Sequence, residues 1–372
     1  MAGSVALFTL LLFHLAVEAR SQDSQTEFCD TAPDDGLRFW CLQLRQMDRM
    51  ARRLDNGSVI PSLKRTFNTP AQTIYECFDL RCVCGFMGGN MGSGRCVLRN
   101  GAVLGQAFRR EYRVLSDAER NRFHSAMWAI KNSGVYDYFA RIHSRFAIAT
   151  GAHAGPAFMP WHREYLKRVE FALRTVDASV AIPYWDSTLD SRLPTPSHSV
   201  MFSSELMGGS RAGEVRDGAF RGWMLENRTR VIRRAVGAQS APMNVSTFFT
   251  YVNSPNIQQI LSSPAAQNGC PIPPSWRSLE LSHGSPHLFV GEDMVLTASS
   301  ANDPIFFLHH SFVDFIWELW RQGVQPRQFR ENDYPRDNIQ CSSRAHFAFA
   351  PMLPFTPMLN IDGLSNEYTG FL

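Results

Sequence analysis

Eleven histidines occur in this chain of 372 residues, and seven of them fall in two groups. His143, His153 and His162 form the first; His283, His287 and the adjacent pair His309-His310 form the second. Neutral imidazole is a ligand for zinc, copper, nickel and iron. On a helix, residues four apart share one face about 5–6 Å apart. The segment His283-Gly284-Ser285-Pro286-His287 can therefore aim two rings at one ion, although Pro286 restricts the pair to the start of a helix. His309 and His310 stand in Phe306-Phe307-Leu308-His309-His310-Ser311-Phe312-Val313-Asp314. Burying two imidazoles in so apolar a helix is costly unless each has a partner. Asp314, four residues after His310, is placed to accept from one ring. That carboxylate would serve a metal-bound imidazole and an ordinary core hydrogen bond equally well.

In the first group His143 is flanked by Phe139 and Phe146, and His153 follows Gly151-Ala152 in a predicted turn. His162 lies in Phe158-Met159-Pro160-Trp161-His162-Arg163, with Glu170 two helical turns further on roughly the same face. No cysteine belongs to either triplet, which excludes blue-copper and iron–sulfur sites. One triplet alone would suit a catalytic zinc. Two triplets without a bridging carboxylate favour paired copper over a two-zinc hydrolase.

Helices must carry these rings. Ser116-Asp117-Ala118-Glu119 is a capping box, and Phe123, Met127 and Ile130 continue at helical spacing to about Asn132. Gly134 ends that helix. A second is predicted from Tyr136 to Thr150, carrying His143, and a third from Trp161 to Val176, carrying His162. A fourth opens at Asp303-Pro304, where proline suits the first turn, and runs to Arg321 with His309 and His310 inside it. Residues 183–280 are rich in Pro, Gly, Ser and Asn, with helix in patches such as 256–262. The proline-rich tail after 322 is expected to be irregular.

Composition bounds the rest. Hydrophobic residues make up 44% and charged residues 19% of the chain, enough to build a large core. The 37 basic and 34 acidic residues leave a net charge of +3 with no basic stripe, which argues against nucleic acid as partner. Residues 1–19 read as a signal peptide: Val5–Ala16 is almost wholly apolar and Val17-Glu18-Ala19 puts small residues where a peptidase cuts. The apolar run is about 12 residues, short of the roughly 20 a bilayer requires. A secreted protein without stable membrane insertion is expected. Eight cysteines agree with export. Cys29, Cys41, Cys77, Cys82, Cys84 and Cys96 form a cluster within a region spanning 20–105, read as loop-rich and held by disulfides rather than by a core. Cys270 and Cys341 stand apart as a predicted bridge. The sequons at Asn56, Asn227 and Asn244 agree with secretion.

Taken together these strings resemble the tyrosinases, the type 3 copper proteins. His143, then His153 with Pro160-Trp161-His162-Arg163, is similar to the family's first copper site. His283-x3-His287, followed by Asn302-Asp303-Pro304-Ile305-Phe306-Phe307-Leu308-His309-His310 and Asp314, is similar to the second. Pro183-Tyr184-Trp185-Asp186, Met352-x-Pro354-Phe355 and Asp362-Gly363-Leu364 extend the likeness over residues 106–368, within a predicted copper-binding domain of 106–372. With the Cys-rich N-terminal region and the signal, the pattern looks most like a secreted invertebrate tyrosinase.

The resemblance implies a mainly α fold, a four-helix-bundle core around two copper ions. His143, His153 and His162 would hold copper A, and His283, His287 and His310 copper B. His309, Asp314 and Glu170 would stand behind the ligands. It implies oxidation of phenols and catechols to o-quinones with dioxygen. The alternatives within the same resemblance are a reversible oxygen binder of the hemocyanin kind and an inactive zinc-bound or metal-poor relative. Two positions depart from the family. Gly151 stands where many relatives carry a cysteine cross-linked to the second copper A histidine. Gly284 stands where several monophenol-hydroxylating enzymes carry an asparagine that helps an acid hold a water; Glu280 is the nearest acid here. Diphenol oxidation is therefore expected to outrun monophenol hydroxylation.

Overall fold

A computed structural model of the chain describes residues 27–55, 71–209 and 211–371. The predicted signal segment and the Asn56 sequon lie outside the described residues. Helix α1 spans Asp35–Leu54, α2 Leu80–Phe86, α3 Asp117–Asn132, α4 Val135–Ser144 and α5 Phe158–Val176. Then come α6 at Val245–Val252, α7 at Leu279–Ser282, α8 at Gly284–Val290 and α9 at Ile305–Gly323. The fold is mainly α-helical, as the sequence implies.

The main core is built where α3, α4, α5 and α9 meet. Phe123, Met127 and Ile130 of α3 bury with Tyr136 and Phe139 of α4, Trp161, Tyr165 and Leu166 of α5, and Phe306 and Phe307 of α9. The capping box opens α3, with Ser116 and Glu119 satisfying each other's backbone N–H. Helix α4 stops at Ser144 rather than at Thr150. Arg145 leaves helical backbone angles and a short 3-10 turn, Phe146–Ile148, follows. Helix α5 starts three residues earlier than the spacing of its apolar residues suggests, with Pro160 in its first turn, where no N–H is needed.

Every residue of α5 from Phe158 to Arg174 is buried, so its charges must be paired inside the protein. Arg163 reaches Asp314 at 2.7 Å and Glu318 at 3.1 Å on α9. Glu164 pairs with Lys167 and Arg168 at 2.7 and 2.9 Å. Glu170 accepts from Arg109 at 3.2 Å and from the Ile182 N–H at 2.8 Å. On its far side α9 packs Phe312, Ile316, Trp317 and Trp320 into a second cluster with Tyr251 of α6.

The Cys-rich region is corrected by the structure. It is not a loop held only by bridges: α1 is a 20-residue helix. The Asp34 side chain caps it by accepting from Leu37 N–H, Asp35 sits in its first turn, and Arg52 and Arg53 in its last, matching the helix dipole. Trp40, Leu44, Met47 and Ala51 form its buried stripe. Trp40 and Leu44 enter a cluster with Ala154, Leu281 and Leu288, so this region shares a core with the histidine-bearing segments. The disulfides are Cys29–Cys41, Cys77–Cys82, Cys84–Cys96 and Cys270–Cys341.

Strands are short. β1 (Asn90–Gly92), β2 (Arg95–Val97) and β3 (Val103–Leu104) form an antiparallel sheet in that order. β4 (Ala107–Arg109) pairs in parallel with β7 (Thr369–Phe371), in register Ala107 to Thr369, and so ties the start of the helical part to its end. β5 (Gly213–Glu214) and β6 (Arg233–Arg234) form a small antiparallel ribbon. Among the described residues no helix is long and apolar enough to cross a membrane.

Candidate metal centre

Both histidine triplets close in space. One nitrogen from each of His143, His153 and His162 lies within 4.8 Å of the others, and the same holds for His283, His287 and His310. His143 comes from the last turn of α4 and His162 from the second turn of α5. His153 comes from the turn between them, where Ala154 takes a left-handed φ of +74°. Such a conformation in a residue other than glycine is strained and held by its surroundings. Here the Ala154 N–H donates to the Glu280 carboxylate, which fastens the first triplet to α7 of the second. His283 caps α8, with Pro286 in the first turn and His287 following, as the HxxxH spacing requires.

The rings are oriented from behind. The Nδ1–H of His143 donates to Thr297 O at 3.1 Å, that of His162 to Phe158 O at 2.9 Å, and that of His287 to Met294 O at 2.9 Å. His283 Nδ1 pairs with the Glu280 carbonyl. An imidazole that donates from Nδ1 keeps its Nε2 lone pair free for a metal. His143 Nε2 and His162 Nε2 are indeed buried with no protein partner. His287 Nε2 and His310 Nε2 lie 3.2 Å apart, about the separation of two nitrogens bound to one ion at roughly 2.0 Å each. Each of the six rings is 3% exposed or less. Burial pushes their pKa values down, reinforced by neighbouring imidazoles for all but His287: His143 to about 3, His287 to about 4, and the others well below the usual value. The rings are neutral, as ligands must be. Six buried neutral nitrogens in two sets of three, with no thiolate, fit a pair of copper ions.

The two sets adjoin. His162 and His310 stack with ring centroids 4.3 Å apart. Phe158 lies 4.6 Å from both His162 and His283, and Phe306 lies 4.7 Å from His143 and 4.1 Å from His310. These phenyl rings exclude water from the seam. His309 points away: its Nε2 donates to His283 O at 3.0 Å, bracing the helix that carries a neighbour in the second triplet.

The two carboxylates are placed differently from expectation. Asp314 gives its oxygens to Arg163 and Arg109, at 2.7 and 3.0 Å, and Glu170 is likewise paired with Arg109. A buried guanidinium is a stronger partner than an imidazole, so these acids hold α5 and α9 together while the rings turn to backbone carbonyls. Both departures from the family have a packing reason. A Cβ on Gly151 would lie 2.9 Å from Ala345 O, and one on Gly284 would lie 2.5 Å from Cγ of Trp40.

Sequence reasoning missed Trp40. Its indole lies 5.1 Å from His287, nearly parallel, and edge-on to His283 at 5.3 Å. Nothing local in Arg38-Phe39-Trp40-Cys41 announces that contact. It also missed His346, a buried imidazole packed so closely on Gly155 that an added Cβ there would lie 2.6 Å from the ring.

Residues 133–323 match the common central domain of tyrosinase. The chain is 44% identical over 368 residues to the putative tyrosinase-like protein tyr-3 of Caenorhabditis elegans, covering 97% of this chain and 52% of that protein. It is 38% identical over 273 residues to tyrosinase-like protein 1 of Margaritifera margaritifera, covering 70% of this chain and 53% of that one. The chain thus spans about half the length of these animal relatives. It is 34% identical over 238 residues to the tyrosinase of Streptomyces antibioticus, covering 58% of this chain and 82% of the bacterial one. Among solved structures, a polyphenol oxidase variant from Thermothelomyces thermophila superposes with a TM-score of 0.55 at 18% identity, over 90% of this chain and 98% of that one, which speaks for the fold alone.

Proposed function

The chain belongs to the tyrosinase family, and on that premise we propose that it oxidises catechols, and more slowly phenols, to o-quinones with dioxygen at a dicopper centre. His143, His153 and His162 hold one ion, and His283, His287 and His310 the other. The observation that carries this reading is the pair of buried imidazole triplets meeting at the His162–His310 stack. When bound, the copper pair supplies the electron couples through which dioxygen is reduced as the substrate is oxidised.

The protein's own residues do the rest. Thr297, Phe158, Glu280 and Met294 carbonyls fix the tautomer and aim of four ligands. Phe158 and Phe306 keep the seam dry. The buried Glu280 carboxylate accepts from the Ala154 N–H and faces that of Gly155. Burial pushes its pKa above the usual carboxylate range. Gly284 offers no amide to order a water beside this acid, which supports the preference for diphenols.

The signal-like N-terminus and the cysteines, all bridged, support export to an oxidising compartment. The test is to load the purified chain with copper, count the ions and follow oxygen uptake on adding catechol. Two ions per chain with catechol-dependent uptake are expected. Two ions with no uptake would favour an oxygen carrier, and zinc retained in place of copper would favour the inactive relative.

A further inference from the structure

Four of the six ligand rings engage a backbone carbonyl through Nδ1, and His310 stands inside α9. His153 has neither support. It stands in the turn between α4 and α5, and its ring takes no hydrogen bond among the described residues. Ala154 beside it is held at a left-handed φ of +74°. A ring on such a turn keeps its aim only while the backbone beneath it is held.

The turn is held from one side by a distant piece of the chain. Glycines at 151 and 155 flank His153, and neither has a left-handed φ to demand glycine. What demands them is space. An added Cβ on Gly151 would lie 2.9 Å from Ala345 O, and one on Gly155 would lie 2.6–2.8 Å from Cγ, Cδ2 and Nδ1 of His346. Consecutive residues of one 3-10 turn, Arg344–His346, thus lie against both glycines. That turn is itself anchored. Asn360 Nδ2 donates to Ala345 O and Phe347 O at 2.8 and 2.9 Å, and the Tyr334 hydroxyl donates to His346 O at 2.8 Å. Cys341, just ahead of the turn, is bridged to Cys270.

The His346 ring is 1% exposed, and neither of its nitrogens has another hydrogen-bond partner. The polar group it faces is the backbone of His153. A neutral imidazole always carries one N–H, and burying it without a partner costs stability. We propose that His346 is a positioning residue for the copper A site: its ring, seated on Gly155, braces the His153 backbone and so aims the His153 imidazole at the ion shared with His143 and His162. The proposal rests on the dicopper reading above.

The test compares the copper-loaded wild type with His346→Phe, His346→Asn, His346→Gln and Gly155→Ala. The readouts are copper per chain after dialysis against rising chelator, the electron paramagnetic resonance signal of the oxidised protein, and the thermal midpoint of the metal-free protein. Two coupled cupric ions give no such signal, whereas a lone ion does. The wild type is expected to keep two ions and stay silent.

His346→Phe keeps a ring on Gly155 but has no N–H. It should lose one ion at about 10–100-fold less chelator than the wild type, the range expected when a partner behind a metal ligand is removed. A lone-ion signal should appear while the metal-free midpoint stays near that of the wild type. Either Asn or Gln, whose amide N–H can stand in for one ring nitrogen, should recover most of the affinity. Gly155→Ala, whose methyl group must push the ring away, should behave like His346→Phe, and it carries the comparison if the His346 variants do not fold. Unchanged chelator resistance in both His346→Phe and Gly155→Ala would overturn the positioning role. So would loss of both ions together with a lowered metal-free midpoint and no recovery by either amide, which would show that His346 merely packs. Failure of the wild type to bind two ions would overturn the dicopper reading and the positioning role with it.

Discussion

Arg163 donates to Asp314 at 2.7 Å, joining helices α5 and α9 at positions set by the two triplets. Arg163 follows His162 directly, and Asp314 lies one helical turn beyond His310. The ion pair therefore locks the register that lets His162 stack on His310 at 4.3 Å and 11° between planes. Arg109 closes the network by bonding both Asp314 and Glu170. A guanidinium–carboxylate cluster buried to this degree contributes to stability mainly through what its disruption costs.

Asp314→Ala should accordingly be severe. It leaves Arg109 and Arg163 buried without their shared partner, and the cost of breaking such a pair is about 3–5 kcal/mol. Chemical denaturation should show a lower midpoint, with copper content falling as α5 and α9 lose their register. An unchanged midpoint would contradict a bracing role for Asp314.

His310→Ala should empty the second copper position, because His309 is turned away to the His283 carbonyl and cannot substitute. Metal analysis should fall from two ions towards one, and catechol oxidation should be lost. His309→Gln, which can still donate to that carbonyl, should keep both ions. Normal activity in the His310 variant would overturn the ligand assignment.

Acid should weaken the metal-free protein in a defined direction. Burial holds His143 down to about 3 and His287 and His124 to about 4; the positive field of neighbouring groups adds to this for His143 and His124. In the unfolded chain these rings titrate near 6.5. Below that value the unfolded state binds protons that the folded state refuses, so stability falls as pH drops from about 6.5 towards 4 and is insensitive to these groups above it. Urea midpoints measured between pH 7 and pH 4.5 should decline steadily. A flat profile would mean that the rings are hydrated in the absence of metal.

Diphenols should be turned over faster than matched monophenols by the copper-loaded chain, since Gly284 supplies no amide beside Glu280. Equal rates for a catechol and the phenol lacking its second hydroxyl would refute this.

Much of the centre was legible in residue order. Imidazoles at i and i+4 around Pro286, the string Trp161-His162-Arg163, and the pair His309-His310 behind Asp303-Pro304 are local patterns, and ligand chemistry demands those residue types at those spacings. Helices α3, α5 and α9 were legible for the same reason: caps and apolar periodicity act over a few residues. Helix α1 carried equally local signals in Asp34, Asp35, Arg52 and Arg53, but the density of cysteine and glycine across 20–105 masked them.

The chain's order of residues thus determined the donors, their grouping and the helices that bear them, because these depend on near neighbours. Only the tertiary structure decided that Asp314 turns to Arg109 and Arg163 rather than to His310, that Glu280 reaches Ala154, and that Trp40 lies on His287. Each of these joins segments far apart along the chain. Which partner a buried charge or ring takes is set by the competition among all groups that packing brings within reach, and no local pattern encodes that competition.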